Sequence, residues 1–128
     1  MPVQKIIHAG TIIGYKITRP ARGSRPVTSA TDALQVLTVC HPAGHVIAPH
    51  LHTRSKRVQY EMHKALVVLA GKIRLDLYGP DKKKIRAVTL TSGQAFVLVG
   101  GGWGVQFIQT SQVLEFKNGP FLRNRIVI

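Results

Sequence analysis

His50 and His52 carry the most legible chemistry in this chain. They flank Leu51, and on a β-strand residues two apart point to the same face, so both imidazoles would enter one space. Two neutral imidazoles placed together are half of a transition-metal site, a general acid/base pair, or simply two surface histidines on one strand face. His8, His41 and His45 are isolated and read as surface or loop residues. Cys40 closes an apolar stretch and reads as a small buried hydrophobe rather than a nucleophile. Asp32, Glu61, Asp76, Asp81 and Glu115 are the only acidic residues, too few to support a Ser-His-Asp arrangement. Asp76 falls mid-strand in a Lys/Arg-rich hairpin, where an ion pair is the expected fate.

The elements that must hold these side chains are strands. Short alternating or continuous apolar stretches recur about every ten residues between turn signals, the signature of an all-β sandwich or barrel. The expected strands are Gly10 to Thr18, Leu34 to Cys40, His45 to His52, Val58 to Leu69, Lys72 to Tyr78, Ile85 to Leu90, Ala95 to Val99, Val105 to Ile108 and Val113 to Phe116. Arg19 to Thr31, with two prolines, a glycine and several Ser/Thr, reads as a loop or arm. Tyr78-Gly79-Pro80-Asp81 and Ser92-Gly93 read as turns. No 3.6-residue apolar period persists, so no helix is expected. A chain of 128 residues, 45% hydrophobic, is expected to form a single domain with a sizeable core. No apolar run approaches the roughly 20 residues of a membrane span, and one cysteine builds no intrachain disulfide framework, so a soluble, cytoplasmic protein is expected.

Charge is the unusual quantity. Eighteen Lys+Arg stand against five Asp+Glu, a formal net charge of +13. Such a balance suits nucleic acid, an anionic membrane surface or a phosphorylated small ligand. The cations are scattered, with dense runs only at Arg54 to Arg57 and Lys82 to Arg86. Aromatics make up 6% and do not interleave with those runs as on a single-strand stacking platform. Neither a membrane nor a nucleic-acid partner is therefore the first expectation.

Gly44, five further residues, then His50-Leu51-His52 and a later strand-closing Gly71 resemble the first motif of the cupin superfamily. The stretch GQAFVLVGGGWG, from Gly93, looks like the second. The chain is most similar to small single-domain bacterial cupins in Pro49-His50-Leu51-His52, Gly71-Lys72-Ile73-Arg74, Gly101-Gly102 and Lys117-Asn118-Gly119-Pro120. The resemblance covers about residues 34–120, leaving an N-terminal strand and arm over 1–33. It implies an antiparallel cupin barrel or jelly roll of six to eight strands, commonly a homodimer, with its site at the barrel mouth. Gly10 to Thr18 could add to a partner's sheet edge and hide it.

Cupins that hold a divalent metal use two first-motif histidines, a glutamate seven residues before the closing glycine, and a second-motif histidine. Here those last two positions carry Lys64 and Trp103. An ammonium in place of a carboxylate is electrostatically wrong for a divalent cation. The resemblance therefore implies no required cofactor, with weakly held zinc or nickel on His50 and His52 as the alternative. Glu61 and His63 could complete a ligand set only if a bulge turned one of them inward.

A lysine against apolar walls could act as an acid/base or anchor an anion. Trp103 offers a flat face to a sugar ring or base, or plugs the vacated cavity. Tyr60 shares strand parity with Lys64 and could add a hydroxyl. Arg54, Arg57 and Arg74 are candidate phosphate contacts, or else a solvated strand face. The chain is also similar, in His50-x-His52 and the strand Ala65 to Leu69, to metal-independent nucleotide-sugar ketoisomerases of the same superfamily. The expected function is thus binding of a small anionic or sugar-derived ligand, with isomerase- or epimerase-type proton shuttling by His50, His52 and Lys64, or else a non-enzymatic binding module.

Overall fold

The computed structural model describes residues 2–128 as an all-β protein of ten strands, with no helix among the described residues. The strands are β1 (Val3–His8), β2 (Thr11–Ile17), β3 (Gly23–Pro26), β4 (Leu37–Cys40), β5 (Lys64–Ala70), β6 (Lys72–Tyr78), β7 (Lys84–Thr91), β8 (Ala95–Leu98), β9 (Gly102–Phe107) and β10 (Gln112–Lys117). All pairings are antiparallel. They form a five-stranded sheet ordered β1-β2-β8-β5-β10, a three-stranded sheet ordered β7-β6-β9, and the separate hairpin β3-β4. No sheet closes on itself, so the ring expected of a complete barrel is absent among the described residues.

Strand alternation explains the layering. In β6, Ile73, Leu75 and Leu77 are fully buried, while Lys72, Arg74, Asp76 and Tyr78 on the other face are half-buried. The buried set packs against Leu66 and Val68 of β5, Phe96 and Leu98 of β8, and Val88 and Leu90 of β7. This is the main core, between the five- and three-stranded sheets. The opposite face of the five-stranded sheet carries Tyr15, Ile17, Ala65 and Val97, over which Val27, Leu34 and Val36 of the β3-β4 arm pack. The middle sheet is therefore covered on both sides, each cover removing apolar surface from water at roughly 25 cal/mol per Å².

One irregularity lets β2 serve both layers. Ile6 pairs with Gly14 and Ile7 with Ile12, so Ile13 is an extra residue in β2. Ile13 joins the main core and Tyr15 the second layer, although equal parity would put them on one face. Gly14 fits the bulge because a Cβ there would run into the Val97 carbonyl and the Phe96 ring.

Three expectations need correction. Residues 41–63 form no strand, so neither His45 to His52 nor the first part of Val58 to Leu69 is one, and pairing begins only at Lys64. Gly10 to Thr18 does contain β2, but β1 and β8 occupy both its edges, so it has none left for a partner. Cys40 is exposed rather than buried. The opening strand β1 and the short β3 lay outside the expected set altogether. None of the described residues forms a helix long and apolar enough to cross a membrane.

Candidate functional site

Lys64 begins β5 and shares the main-core face with Leu66 and Val68, so the first inward residue of this strand is a cation. Its register partners are Leu98 of β8 and Lys117 of β10. Facing it from the other sheet is Trp103 of β9, paired with the buried Leu77 and packed on the core. Trp103 lies 6.2 Å from the Phe96 ring centroid at an interplanar angle of 55°. Lys64 Nζ stands 5.3 Å from the Trp103 ring centroid, within cation–π range.

The turn 108–111 joins β9 directly to β10, so these two edge strands border the same side of the sandwich. The inward positions of β9 are Trp103, Val105 and Phe107, and those of β10 are Val113, Glu115 and Lys117. Val105 and Phe107 are exposed, so this edge between the two sheets stays open to solvent, and we call it the cleft. Its charges are lopsided. Burial lowers the Lys64 pKa; Glu115 opposes that, while Lys117 and Arg125 lower it further. Glu115 is already 3.8 Å from Lys117. Cations thus outnumber the single carboxylate around a half-buried ammonium that rests on an indole.

Just outside the cleft, Asn118 acts as a clip beyond the last ladder pair. Its Nδ2 donates to the Glu61 carbonyl at 2.9 Å, and its Oδ1 accepts from the His63 N–H at 2.8 Å. Through Asn118 the Lys117 to Pro120 motif thus holds the approach to β5. His63 is only 5% exposed, and its Nδ1 is buried without a partner. It precedes the first residue of β5, and Glu61 is exposed.

The remaining expected site residues lie elsewhere. His50 and His52 sit in the unpaired segment, exposed to solvent. Their rings meet edge to face at 5.4 Å between centroids. His50 Nδ1 donates to the Ala48 carbonyl at 2.8 Å, which assigns the proton to Nδ1 in the neutral ring and leaves Nε2 free. Tyr60 is 93% exposed, its side chain in solvent rather than lining the cleft. Arg74 occupies the outer face of β6, away from Trp103, with Nε 3.3 Å from Asp76 Oδ1. Lys84 completes that cluster at 3.0 Å, and with Arg74 it holds the Asp76 carboxyl below its ordinary range against the opposing effect of burial. Asp76 is thus the ion-pair member its neighbours suggested. The structure brings Lys64 and Trp103 together; it does not bring Tyr60 or Arg74 to them.

His50 and His52 supply two imidazoles, and no three His, Cys, Asp or Glu side chains converge among the described residues. Sequence reading also missed a pairing. His41 and His45 stack with ring centroids 3.8 Å apart, and His41 Nε2 lies 3.0 Å from Ser24 Oγ. Their i, i+4 spacing in a stretch with no helical signal gave no hint of contact. Compared with known proteins, the chain matches no family model, no curated protein and no solved structure.

Proposed function

We propose that this chain is a cupin-type jelly-roll binding protein whose cleft, between the inward faces of β9 and β10, takes a small anionic ligand bearing a sugar or other flat ring. The observation that carries this reading is the Lys64 ammonium held 5.3 Å from the Trp103 ring centre at an open, cation-rich sandwich edge. The ammonium, with Lys117 beside it, would pair with phosphate or carboxylate oxygens, and the indole would cover the apolar face of a ring. The two facing antiparallel sheets support the jelly-roll assignment, and the net charge of +13 favours anions at long range. Binding is favoured over turnover because His50 and His52 stand in solvent on an unpaired segment. Homodimerisation by sheet extension would use β1, one outer strand of the five-stranded sheet.

Trp103 is the only tryptophan, so intrinsic fluorescence reads the cleft directly. Titration with uridine diphosphate glucose is expected to change that fluorescence saturably, with at least tenfold weaker binding in Lys64→Gln and little change in His50→Ala. A flat titration, or equal binding by Lys64→Gln, would remove the cleft as the site. Solvent deuterium entering the sugar, abolished in His50→Ala, would instead establish acid/base chemistry by the histidines.

A further inference from the structure

On the far side of the five-stranded sheet, strand alternation places two cations where apolar residues would be expected. Lys5 of β1 pairs with the buried Tyr15, and Val3 pairs with Ile17, so all four face the second apolar layer. Opposite them the β3-β4 arm presents Arg25, in register with Thr38, and Val27. Between sheet and arm lies an open groove of about 370 Å³. Tyr15 and Thr38 supply the only hydroxyls among its lining residues, and no carboxylate lines it. The volume sits at the lower end of the range for small-molecule sites.

Arg25 is pre-positioned, because its Nε donates to the Arg22 carbonyl at 2.8 Å, which orients the guanidinium. Burial, with Asp32 adding to it, holds the Tyr15 phenol above its ordinary range, so that hydroxyl remains a proton donor. The groove thus combines an apolar floor, two cations and a phenolic donor, and the one carboxylate near it, Asp32, stands outside the lining and accepts from the Ser29 N–H at 2.9 Å. We propose that it binds an amphipathic carboxylate, with the acyl or aryl chain against Val3, Val27 and the Tyr15 ring and the carboxylate between Lys5 and Arg25. A lysine turned inward on an edge strand also blunts sheet extension. That explanation requires neither the apolar groove nor Arg25, so the two ideas make different predictions.

The test is a titration of the full chain with sodium decanoate, followed by methyl NMR of Val3 and Val27 and by Trp103 fluorescence. Saturable methyl shifts are expected with Trp103 unchanged, and Lys5→Met with Arg25→Met should weaken binding at least tenfold while circular dichroism stays the same. Decyltrimethylammonium, with an equal chain and opposite charge, should produce no saturable shift. Equal shifts from both amphiphiles, or undiminished decanoate binding by the double variant, would overturn the proposal. So would the same residues responding only to phosphatidylglycerol vesicles, which would make the ligand a lipid surface. Because this groove and the Trp103 cleft have separate probes, either can fail without the other.

Discussion

The hairpin formed by β6 and β7 and the segment 41–63 make an instructive pair. Both contain apolar residues in alternation with polar ones, and both read as strands. In the hairpin, Gly71 opens and Gly79-Pro80-Asp81 turns the chain, so each residue of β6 meets a partner on the very next strand, and β9 takes the other edge. Gly71 has φ +99°, and a Cβ there would strike Ser111 and Thr110, which shows how closely the next turn is packed on it. Segment 41–63 has no such partner. Pro42, Pro49 and the Arg54-Ser55-Lys56-Arg57 run punctuate it, and Val46, Leu51, Val58 and Tyr60 lie in solvent. Alternation marks a chain able to be a strand, but a free edge within reach makes it one.

The sharpest way to break this comparison is to truncate one leucine in each region. Leu75→Ala, at the centre of β6, should cost about 2–5 kcal/mol in urea unfolding. Leu51→Ala, at a site 86% exposed, should fall within about 0.5 kcal/mol of the parent. A large loss from Leu51→Ala would mean that the segment packs after all, and would bring His50 and His52 back toward a built site.

A smaller effect is expected where the segment joins the five-stranded sheet. Asn118→Ala removes both hydrogen bonds that tie Glu61 and His63 to the end of β10, and should cost about 1–2 kcal/mol. Hydrogen exchange should then quicken at the His63 amide while the β6 amides stay protected. Uniform protection in the variant would show that something other than this clip anchors the segment.

The smallest effect sharpens the boundary electrostatically. Lys64 has its folded-state pKa lowered below the ordinary 10.5, chiefly by burial. The unfolded chain therefore keeps its proton longer, and between the two pKa values the unfolded state binds more protons. Stability should rise with pH through that alkaline window, the penalty being fully present below it. Lys64→Met should flatten the rise relative to the parent, as followed by urea midpoints at successive pH values. An unchanged slope would mean that the ammonium is as well solvated as the exposed lysines.

Much of the frame was legible in the sequence. Lys72 to Tyr78 is a strand with the expected bounds, and Ile85 to Leu90, Ala95 to Val99 and Val113 to Phe116 lie within a residue or two of β7, β8 and β10. β6 and β7 form a local hairpin, where pattern and partner are specified together, whereas β8 and β10 pair with distant strands and were legible from their apolar pattern alone. The expected strand Val105 to Ile108 starts late, because Gly102 and Gly104 on either side of Trp103 lack strand propensity and are drawn in by pairing with Tyr78 and Asp76. The arm strand β3 was hidden by its proline, which sits at the strand end. At the candidate site, the resemblance named Lys64 and Trp103 together at two cupin ligand positions, and the fold sets Lys64 Nζ 5.3 Å from the Trp103 ring centroid. The Lys64–Trp103 contact joins residues far apart in sequence on two sheets, a relation that no local pattern encodes.

The extra residue at Ile13 has a consequence for how this protein can change. Because one inserted position reverses which side of the sheet every later residue of β2 faces, the strand works as a phase shifter between two apolar compartments. Substituting Ile13 would merely leave a gap. Deleting it would set Ile12 beside Gly14 with their present partners Ile7 and Ile6, so the ladder would run straight, Tyr15 and Ile17 would keep their layer, and the main core would lose one side chain. At this point the core depends on the one side chain of β2 that the ladder does not hold.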